Sequence, residues 1–288
     1  MIDRKLTVGK IINYILLVLI AFVCLYPFLN VVAYSVSGYN AVLSGRVTFY
    51  PIDFTLEAYK QILGKTQIWR AMNTTVKVTL IGTTLSLVLT TFAAYALSQD
   101  DLPGRKVITG FILFTMYFGG GLIPTFLVVK GVGLYDTLGA LFIPQSGNVF
   151  NFIVMRTFFK NLPESLSEAA RIDGASYMQI LAKIVLPLSL PIIATMGLFY
   201  SVGYWNTYFD ALLYIQDPDK YTLQLRLRGL LFGEELNSAG NLEGVGMQVM
   251  TQSLKMATVL VSTLPILVVY PWLQKYFVKG VMVGSVKG

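Results

Sequence analysis

The chain has 288 residues, of which 55% are hydrophobic and 13% are charged; this composition and a mean hydropathy of +0.64 predict an integral membrane protein. One cysteine and no histidine exclude a disulfide framework and a Cys/His zinc site, and we expect neither a metal nor a cofactor. The net charge of +7 is not arranged as a basic stripe with interleaved aromatic residues, which argues against nucleic-acid binding.

Long apolar runs are the strongest signal along the chain. About 20 helical residues, rising about 1.5 Å each, cross the roughly 30 Å of hydrocarbon in a bilayer. Runs of this length lie near 11–37, 74–98, 107–130, 138–158, 184–210 and 254–276. The first is too long for a signal peptide and lacks a cleavage site, so we expect it to remain as an anchor. The pattern predicts an all-α integral membrane fold with six transmembrane helices in a single domain, 1–288.

Proline and glycine interrupt several of these runs, most densely in YFGGGLIPTF at 117–126 and at Pro187 and Pro191. In lipid, such breaks persist where protein or a water-filled cavity covers the freed backbone groups. Two interpretations stay open, namely helices packed around a pathway and ordinary kinked packing in a bundle.

Basic residues beside the runs indicate the orientation of the chain, because they are retained on the cytoplasmic side. With both termini in the cytoplasm, the inner segments carry just over half of the lysines and arginines. The bias is modest, but the inverted orientation fits worse. We therefore predict a multi-pass plasma-membrane protein with cytoplasmic termini and a cytoplasmic loop at 159–183.

One tripeptide imitates a nucleotide-binding loop. Gly64-Lys65-Thr66 has the ending of a P-loop, but a P-loop needs glycine five residues earlier, where this chain has Tyr59. Paired catalytic carboxylates and a Ser/His arrangement are also missing from the pattern. We predict a chain that is not an enzyme and that takes its energy from a partner.

The cytoplasmic loop contains the most specific local pattern, EAARIDGASYMQILAKIVLP at 168–187. Ser165 and Glu168 have capping-box spacing, which predicts a short helix that begins at Ser165. Gly174 can end that helix in the left-handed conformation, and Ser176 can cap a second short helix. We call these two short helices, with the glycine between them, the knuckle.

The surface of the knuckle allows two interpretations. Ala169 and Ala170 keep it shallow, so that another protein can approach closely, while Glu168, Arg171 and Asp173 offer charge for pairing. Alternatively, Glu168 only completes its own capping box, and the segment is an amphipathic helix at the membrane surface.

A polar and aromatic cluster, YSVGYWNTYFD at 200–210, lies at the outer end of the fifth run. Its candidate substrate-pathway residues are Tyr200, Tyr204, Trp205, Asn206, Tyr208 and Asp210. A helical period of 3.6 places the three tyrosines on one face and Asn206 with Asp210 on another, so only one face can line a pathway. We favour Asp210, since an ionisable group near a span end usually faces water or a partner. An interfacial aromatic belt is the alternative.

The spacing Glu168-Ala169-Ala170, three residues, Gly174, nine residues, Ile184-x-Leu186-Pro187 resembles the EAA signature of the membrane subunits of bacterial ABC importers. Every fixed position of that signature is filled. Further segments resemble carbohydrate-uptake permeases of the LplC/YtcP type, relatives of the maltose permease subunit MalG. They are GGGLIPTFLVVKGVGLYDTLGAL (119–141), VFNFIVMRTFFKNLPESL (149–166), WNTYFDALLYI (205–215), YTLQLRLRGLL (221–231) and LQKYFVKGVMVGSVKG (273–288).

This resemblance implies the type I ABC importer permease fold and a set of partners. They are a second, non-identical permease subunit, two cytoplasmic ATP-binding subunits and an extracellular sugar-binding lipoprotein. In such importers the EAA knuckle is seated in a cleft of the ATPase, where its glutamate pairs with a basic residue. That role would fall to Glu168, with Ala169, Ala170 and Gly174 supplying the fit.

The same resemblance implies import of sugars or oligosaccharides, with acidic polysaccharide fragments among the candidates. The outer loop at 216–253, with Arg226 and Arg228, is then placed to meet the binding protein, unless those arginines are simply solvated. An ion-coupled secondary sugar carrier is the alternative function, but it would want paired ionisable residues at mid-membrane and internal repeats. An intramembrane enzyme would need a nucleophile with its base or a metal cluster.

Overall fold

The structure, a computed structural model, describes residues 8–232 and 252–285. These residues form helices and no strand. The α-helices are α1 (Val8–Ser35), α2 (Tyr39–Leu43), α3 (Glu57–Leu63), α4 (Thr66–Ser98), α5 (Arg105–Tyr117), α6 (Leu122–Gly131), α7 (Val149–Lys160), α8 (Glu164–Ile172), α9 (Tyr177–Ile180), α10 (Leu186–Leu188), α11 (Leu190–Trp205), α12 (Phe209–Tyr214), α13 (Leu223–Phe232) and α14 (Gln252–Ser285). Leu138–Leu141 and Pro218–Lys220 are 3-10 turns, and Leu181–Val185 is a π-helical segment.

Two helices are long and apolar enough to cross a membrane on their own, Gly9–Ser35 of α1 and the whole of α4. Two bent pairs reach that length together, α5 with α6, and Tyr177–Leu188 with α11. Within the described residues, the apolar part of α14 covers Gln252–Val268. The predicted runs 11–37 and 74–98 are therefore each helical almost throughout, and the others depart from a single helix in informative ways.

The predicted run 107–130 consists of two helices bent by 116°. The break falls at Phe118–Gly121, where three glycines follow one another and Gly121 has φ of 86°. Glycine is costly inside a helix and permits this positive φ. The bend therefore lies within the stretch 117–126, where an interruption was predicted from the sequence.

The predicted run 138–158 is helical only in its second half, because α7 begins at Val149. Pro144 lies in the irregular part, where it lacks an N–H donor and disfavours the helical conformation of the residue before it. The Asn148 side chain caps α7 by accepting a bond from the Asn151 backbone N–H at 2.9 Å. At about 1.5 Å per residue, the twelve residues of α7 extend roughly 18 Å.

The predicted run 184–210 is broken by 82° between α10 and α11. Pro191 lies in the first turn of α11, where its missing N–H costs least, and the π-helical segment precedes Pro187. The helix then ends at Trp205, so Tyr208 and Asp210 are not part of it.

The chain divides into two compact units, 1–69 with 227–264 and 70–226 with 265–288. In the first unit, α1 is exposed along most of its length, as expected for a helix facing lipid. A small core of Ala33, Ala41, Val42 and Val47 lies beside its end. The Tyr59 hydroxyl bonds to the Ser35 hydroxyl at 2.9 Å there.

The second unit holds both candidate sites and two main buried clusters. One cluster joins α4, α7, the π-helical segment and α11 through Tyr95, Phe152, Met155, Leu181 and Met196. The other joins α4, α11, α12 and α13 through Val78, Leu141, Tyr200, Tyr204, Ala211 and Leu225. The helix α4 contributes to both, and so it connects the two sites described next.

The coupling knuckle and a polar cavity

The knuckle is formed by α8 and α9 on either side of Gly174. Gly174 has φ of 77°, as predicted, and a Schellman pair of bonds closes α8, with the Ala175 N–H on the Ala170 carbonyl at 2.9 Å. Ser176 caps α9 in a capping box with Gln179, which confirms the predicted second helix. The predicted start at Ser165 is wrong.

The first helix begins at Glu164, and its N-cap residue is Pro163, which makes no side-chain bond. Ser165 lies inside the helix and is not its cap. Glu168 therefore completes no capping box. It is exposed, and it has no hydrogen bond or ion pair with any residue that the structure describes. Ala169 and Asp173 are exposed beside it, and Ala170 is half-buried. Asp173 likewise has no side-chain partner among the described residues, so a shallow surface with unpaired carboxylates is available to a partner.

Exposed apolar side chains surround the Glu168 carboxylate. Ile172 is 86% exposed, and Leu166, Tyr177 and Met178 also face outward. Apolar groups beside an unpaired charge are typical of a protein contact or of the membrane surface.

Arg171, predicted to offer a free charge, is instead engaged within the chain. Its Nη2 donates to Gln99 Oε1 at 2.9 Å, and its Nη1 lies 3.5 Å from Asp101 Oδ2. The guanidinium also lies over the Tyr177 ring, 4.9 Å from the centroid. The Tyr177 hydroxyl donates to Asp101 in turn.

The hydrogen bond from Tyr177 holds the pKa of the Asp101 carboxyl below its usual value, and the same bond raises the pKa of the Tyr177 hydroxyl. The neighbouring Asp100 has a different set of partners. Its bond from Arg105 lowers the pKa of the Asp100 carboxyl, and Lys160 Nζ lies 3.7 Å away. A cavity of about 250 Å³ lies among these groups and is also lined by Glu164 and Glu168.

A second cavity, of about 620 Å³, contains two of the predicted pathway residues, Tyr200 and Tyr204. Their rings stack with centroids 6.5 Å apart. The Tyr200 hydroxyl is 2.6 Å from Thr90 Oγ1, and the Tyr204 hydroxyl is 2.7 Å from Ser86 Oγ. Both tyrosines are therefore held by α4.

Three residues with amide side chains also line this cavity, namely Gln145, Asn148 and Asn151. They were not identified from the sequence. Asn151 is only 4% exposed. Its side-chain amide has no hydrogen-bond partner within residues 8–232 and 252–285. The amide is not closed off from solvent, because it lines the cavity, so it is free to bond to water or to a ligand there. The available signal was a lone asparagine in the apolar stretch VFNF.

The other four predicted pathway residues do not line this cavity. Asn206 caps α11, with its Nδ2 donating to the Val202 carbonyl at 2.8 Å. Trp205 lines a separate apolar groove. Tyr208 packs beyond the helix end, and Asp210 accepts a bond from Gln145. The expected shared helical faces are therefore wrong for Tyr208 and Asp210.

Arg226 in the outer loop is buried, contrary to both sequence interpretations. Its Nη2 donates to the Pro218 carbonyl at 2.7 Å, and it stacks over the Tyr221 ring at 4.8 Å. Arg228 is half-buried. The rest of the predicted contact loop, 233–251, lies outside the described residues.

Comparison with known proteins identifies the class of this chain. The permease protein YtcP of the polygalacturonan/rhamnogalacturonan transport system of Bacillus subtilis (strain 168) is 45% identical over 276 residues, covering 96% of each chain. Protein LplC of the same organism is 42% identical over 92% of this chain and 90% of its own length. The crystal structure of a bacterial ABC transporter involved in the import of the acidic polysaccharide alginate contains a chain with a TM-score of 0.86. That chain is 34% identical, with 96% of this chain and 99% of that one covered.

These similarities define a permease subunit of an ABC importer, a multi-pass membrane transport protein and not an enzyme. Residues 86–283 match the family described as binding-protein-dependent transport system inner membrane component, and the chain belongs to that family. Family membership implies a second permease subunit, ATP-binding subunits and a binding protein as partners. The resemblance seen in the sequence and the all-α permease fold are confirmed.

Proposed function

We propose that this permease admits oligosaccharides, in particular acidic polysaccharide fragments, to the cytoplasm, and that its knuckle docks on a partner ATPase through Glu168. The observation that carries the docking role is the exposed, unpaired Glu168 carboxylate on a helix ended by Gly174. The names of the relatives, which concern polygalacturonan/rhamnogalacturonan and alginate, support the substrate class.

Docking at the knuckle requires the loop at 159–183 to lie inside the cell. The six predicted spans with cytoplasmic termini would place it there. ATP binding would close the ATPase pair and draw the knuckles of the two permease subunits together. Two alternating conformations shift only when a ligand or partner interacts differently with each, and the ATPase provides that difference. The binding protein, a lipoprotein on the outer side, would deliver the sugar.

The second cavity is our proposed substrate pathway on this subunit. Tyrosine rings offer flat faces to sugar rings, and amide groups can both donate to and accept from sugar hydroxyls. Asn151 supplies an amide that has no hydrogen-bond partner among the described residues, and Tyr200 and Tyr204 of α11 line the same cavity. The other four candidate residues would end or support α11 and would not line the pathway. They are Trp205, Asn206, Tyr208 and Asp210.

Uptake of labelled oligogalacturonate by cells carrying and lacking the gene tests the proposal. Asn151→Leu should reduce uptake while the importer still assembles, because it removes the amide and keeps the volume. Asn73→Leu is the matched control, since Asn73 is exposed on α4 and does not line the cavity. Equal uptake with and without the gene would contradict the substrate class, and equal uptake by both variants would contradict the pathway.

A further inference from the structure

Both short helices of the knuckle converge on a single acidic residue outside it. Asp101 lies in the turn between α4 and α5. It pairs with Arg171 of α8 and accepts the hydroxyl bond of Tyr177 of α9. The residues that it joins therefore lie on opposite sides of Gly174.

Gly174, the joint between the two short helices, is not packed against other described residues. A side chain built on Gly174 would meet no atom within 4 Å among the described residues. The polar contacts that bridge the two helices are the stacking of Arg171 on Tyr177 and their shared partner Asp101, beside the apolar packing of Ala170 and Ile180 in one buried cluster. The direction of α9 relative to α8 thus depends on this network as well as on the backbone turn.

The network also ties the knuckle to the end of α4. Arg171 holds Gln99, the residue after α4, at 2.9 Å. From there α4 runs without interruption past Thr90 and Ser86, whose hydroxyls hold the two cavity tyrosines. Ser86 and Ser98 are twelve residues apart on this helix, which corresponds to roughly 18 Å at about 1.5 Å per residue.

We propose that Asp101 is a positioning residue that fixes the knuckle to the cytoplasmic end of α4, so that movement of the docked knuckle reaches Tyr200 and Tyr204. Without it, mainly the apolar packing of Ala170, Ala175 and Ile180 would join the knuckle to the end of α4, and docking would be converted less fully into movement at the cavity. This inference rests on the proposed docking role of the knuckle.

The contacts of Asp101 are about half exposed, with 40% and 49% of the Arg171 and Asp101 side chains accessible. Exposed pairs of this kind contribute little to folding stability. Loss of Asp101 should therefore affect transmission and leave the fold intact. Asp100 provides a matched control, since it is adjacent in sequence but pairs with Arg105 and Lys160, outside the knuckle.

The test uses the complete importer in proteoliposomes, with labelled oligogalacturonate as the probe. For Asp101→Ala we expect normal co-purification of the ATPase and a fall of about tenfold in sugar transported per ATP hydrolysed. Asp101→Glu should recover much of that ratio, and Asp100→Ala should match the wild type. Tyr177→Phe, which removes only the hydroxyl, should lower the same ratio less, and it replaces Asp101→Ala in the test if the Asp101→Ala permease does not fold.

Two results would overturn the proposal. One is a transport ratio for Asp101→Ala equal to that for Asp100→Ala. The other is loss of the ATPase from Asp101→Ala, which would make Asp101 part of docking and not of transmission. Failure of the docking role is a separate result, because it appears as normal ATPase recovery and transport in Glu168→Lys whatever Asp101→Ala does.

Discussion

The knuckle and the cavity hold their polar groups in opposite ways. At the knuckle, charged side chains are exposed, and Arg171 is paired while Glu168 is left free. In the cavity, the polar groups are neutral; Asn151, Tyr200 and Tyr204 are buried, and hydroxyls of α4 fix both tyrosines. Exposed charge suits a specific contact that forms and breaks with another protein. Neutral hydroxyls and amides suit a sugar that has to pass without tight binding.

The largest effect that would sharpen this contrast is expected from Glu168→Lys. A reversed charge cannot pair with a basic residue of the ATPase, so ATPase recovery and transport should fall more than about tenfold. Co-purification measures docking directly. Glu164→Lys is the matched control, with the same change one helical turn earlier on α8 and outside the signature. Equal losses in both variants would show that docking depends on net charge and not on Glu168.

Gly174→Val should uncouple transport in a protein that still folds. The positive φ of 77° costs an L-residue about 1–2 kcal/mol, and a β-branched residue more. Space is not the obstacle, since no atom of another described residue lies within 4 Å of the added carbon. Gly174→Asn should therefore retain most transport, because asparagine tolerates this conformation. Similar transport by the two variants would mean that the conformation of the joint is unimportant.

Gly82→Ala tests the packing that holds the cavity. Its Cβ would lie 2.9 Å from the Tyr204 ring and from Phe142 Cβ, so the ring has to move. Overpacking of this kind costs about 1–3 kcal/mol, and we expect a lower melting temperature in detergent and reduced transport. The methyl group of Gly110→Ala in α5 would meet no atom within 4 Å in the part of the chain that the structure describes, so this variant should be neutral or stabilising. An unchanged melting temperature for Gly82→Ala would show that Tyr204 is not held tightly.

A pH effect at Asp136 should be the smallest, since this half-buried residue lies in a turn outside both sites. The backbone N–H of Asp217 lowers the pKa of the Asp136 carboxyl, with help from Gln216 and Lys220. Because the pKa of Asp136 is lower in the folded state, its ionised form stabilises the fold. This contribution to the free energy of unfolding is complete above the ordinary pKa of 3.8 and is lost as the pH falls through the pKa of the folded state.

Melting temperatures measured on either side of that value check this prediction. The wild type should lose more stability on acidification than Asp136→Asn, which keeps the size of the side chain and suits the positive φ of 57°. Parallel losses in the two proteins would contradict it.

Much of the knuckle could be predicted from sequence because its signals are local. Gly174 and Ser176 act on their own backbone, and their roles are confirmed. The start at Ser165 was wrong because Pro163 occupies the cap position instead. The role of Asp101 could not be predicted, since its partner Tyr177 lies 76 residues away along the chain.

The cavity was less predictable because it is assembled from distant segments. The spacing of Tyr200 and Tyr204 was sufficient to place them together on α11. The same period, extended to Tyr208 and Asp210, failed because α11 ends at Trp205. Asn151 was missed because its position opposite the tyrosines depends on the packing of α7 against α11.

The most direct test of ATP-driven coupling through the knuckle is sugar accumulation in proteoliposomes, with and without partners. The lone subunit should neither hydrolyse ATP nor accumulate labelled oligogalacturonate. The second permease, the ATP-binding subunits and the loaded binding protein together should give stimulated hydrolysis and uptake, and Glu168→Lys should abolish both. Accumulation by the lone subunit under a proton or sodium gradient alone would contradict ATP-driven import and establish an ion-coupled carrier.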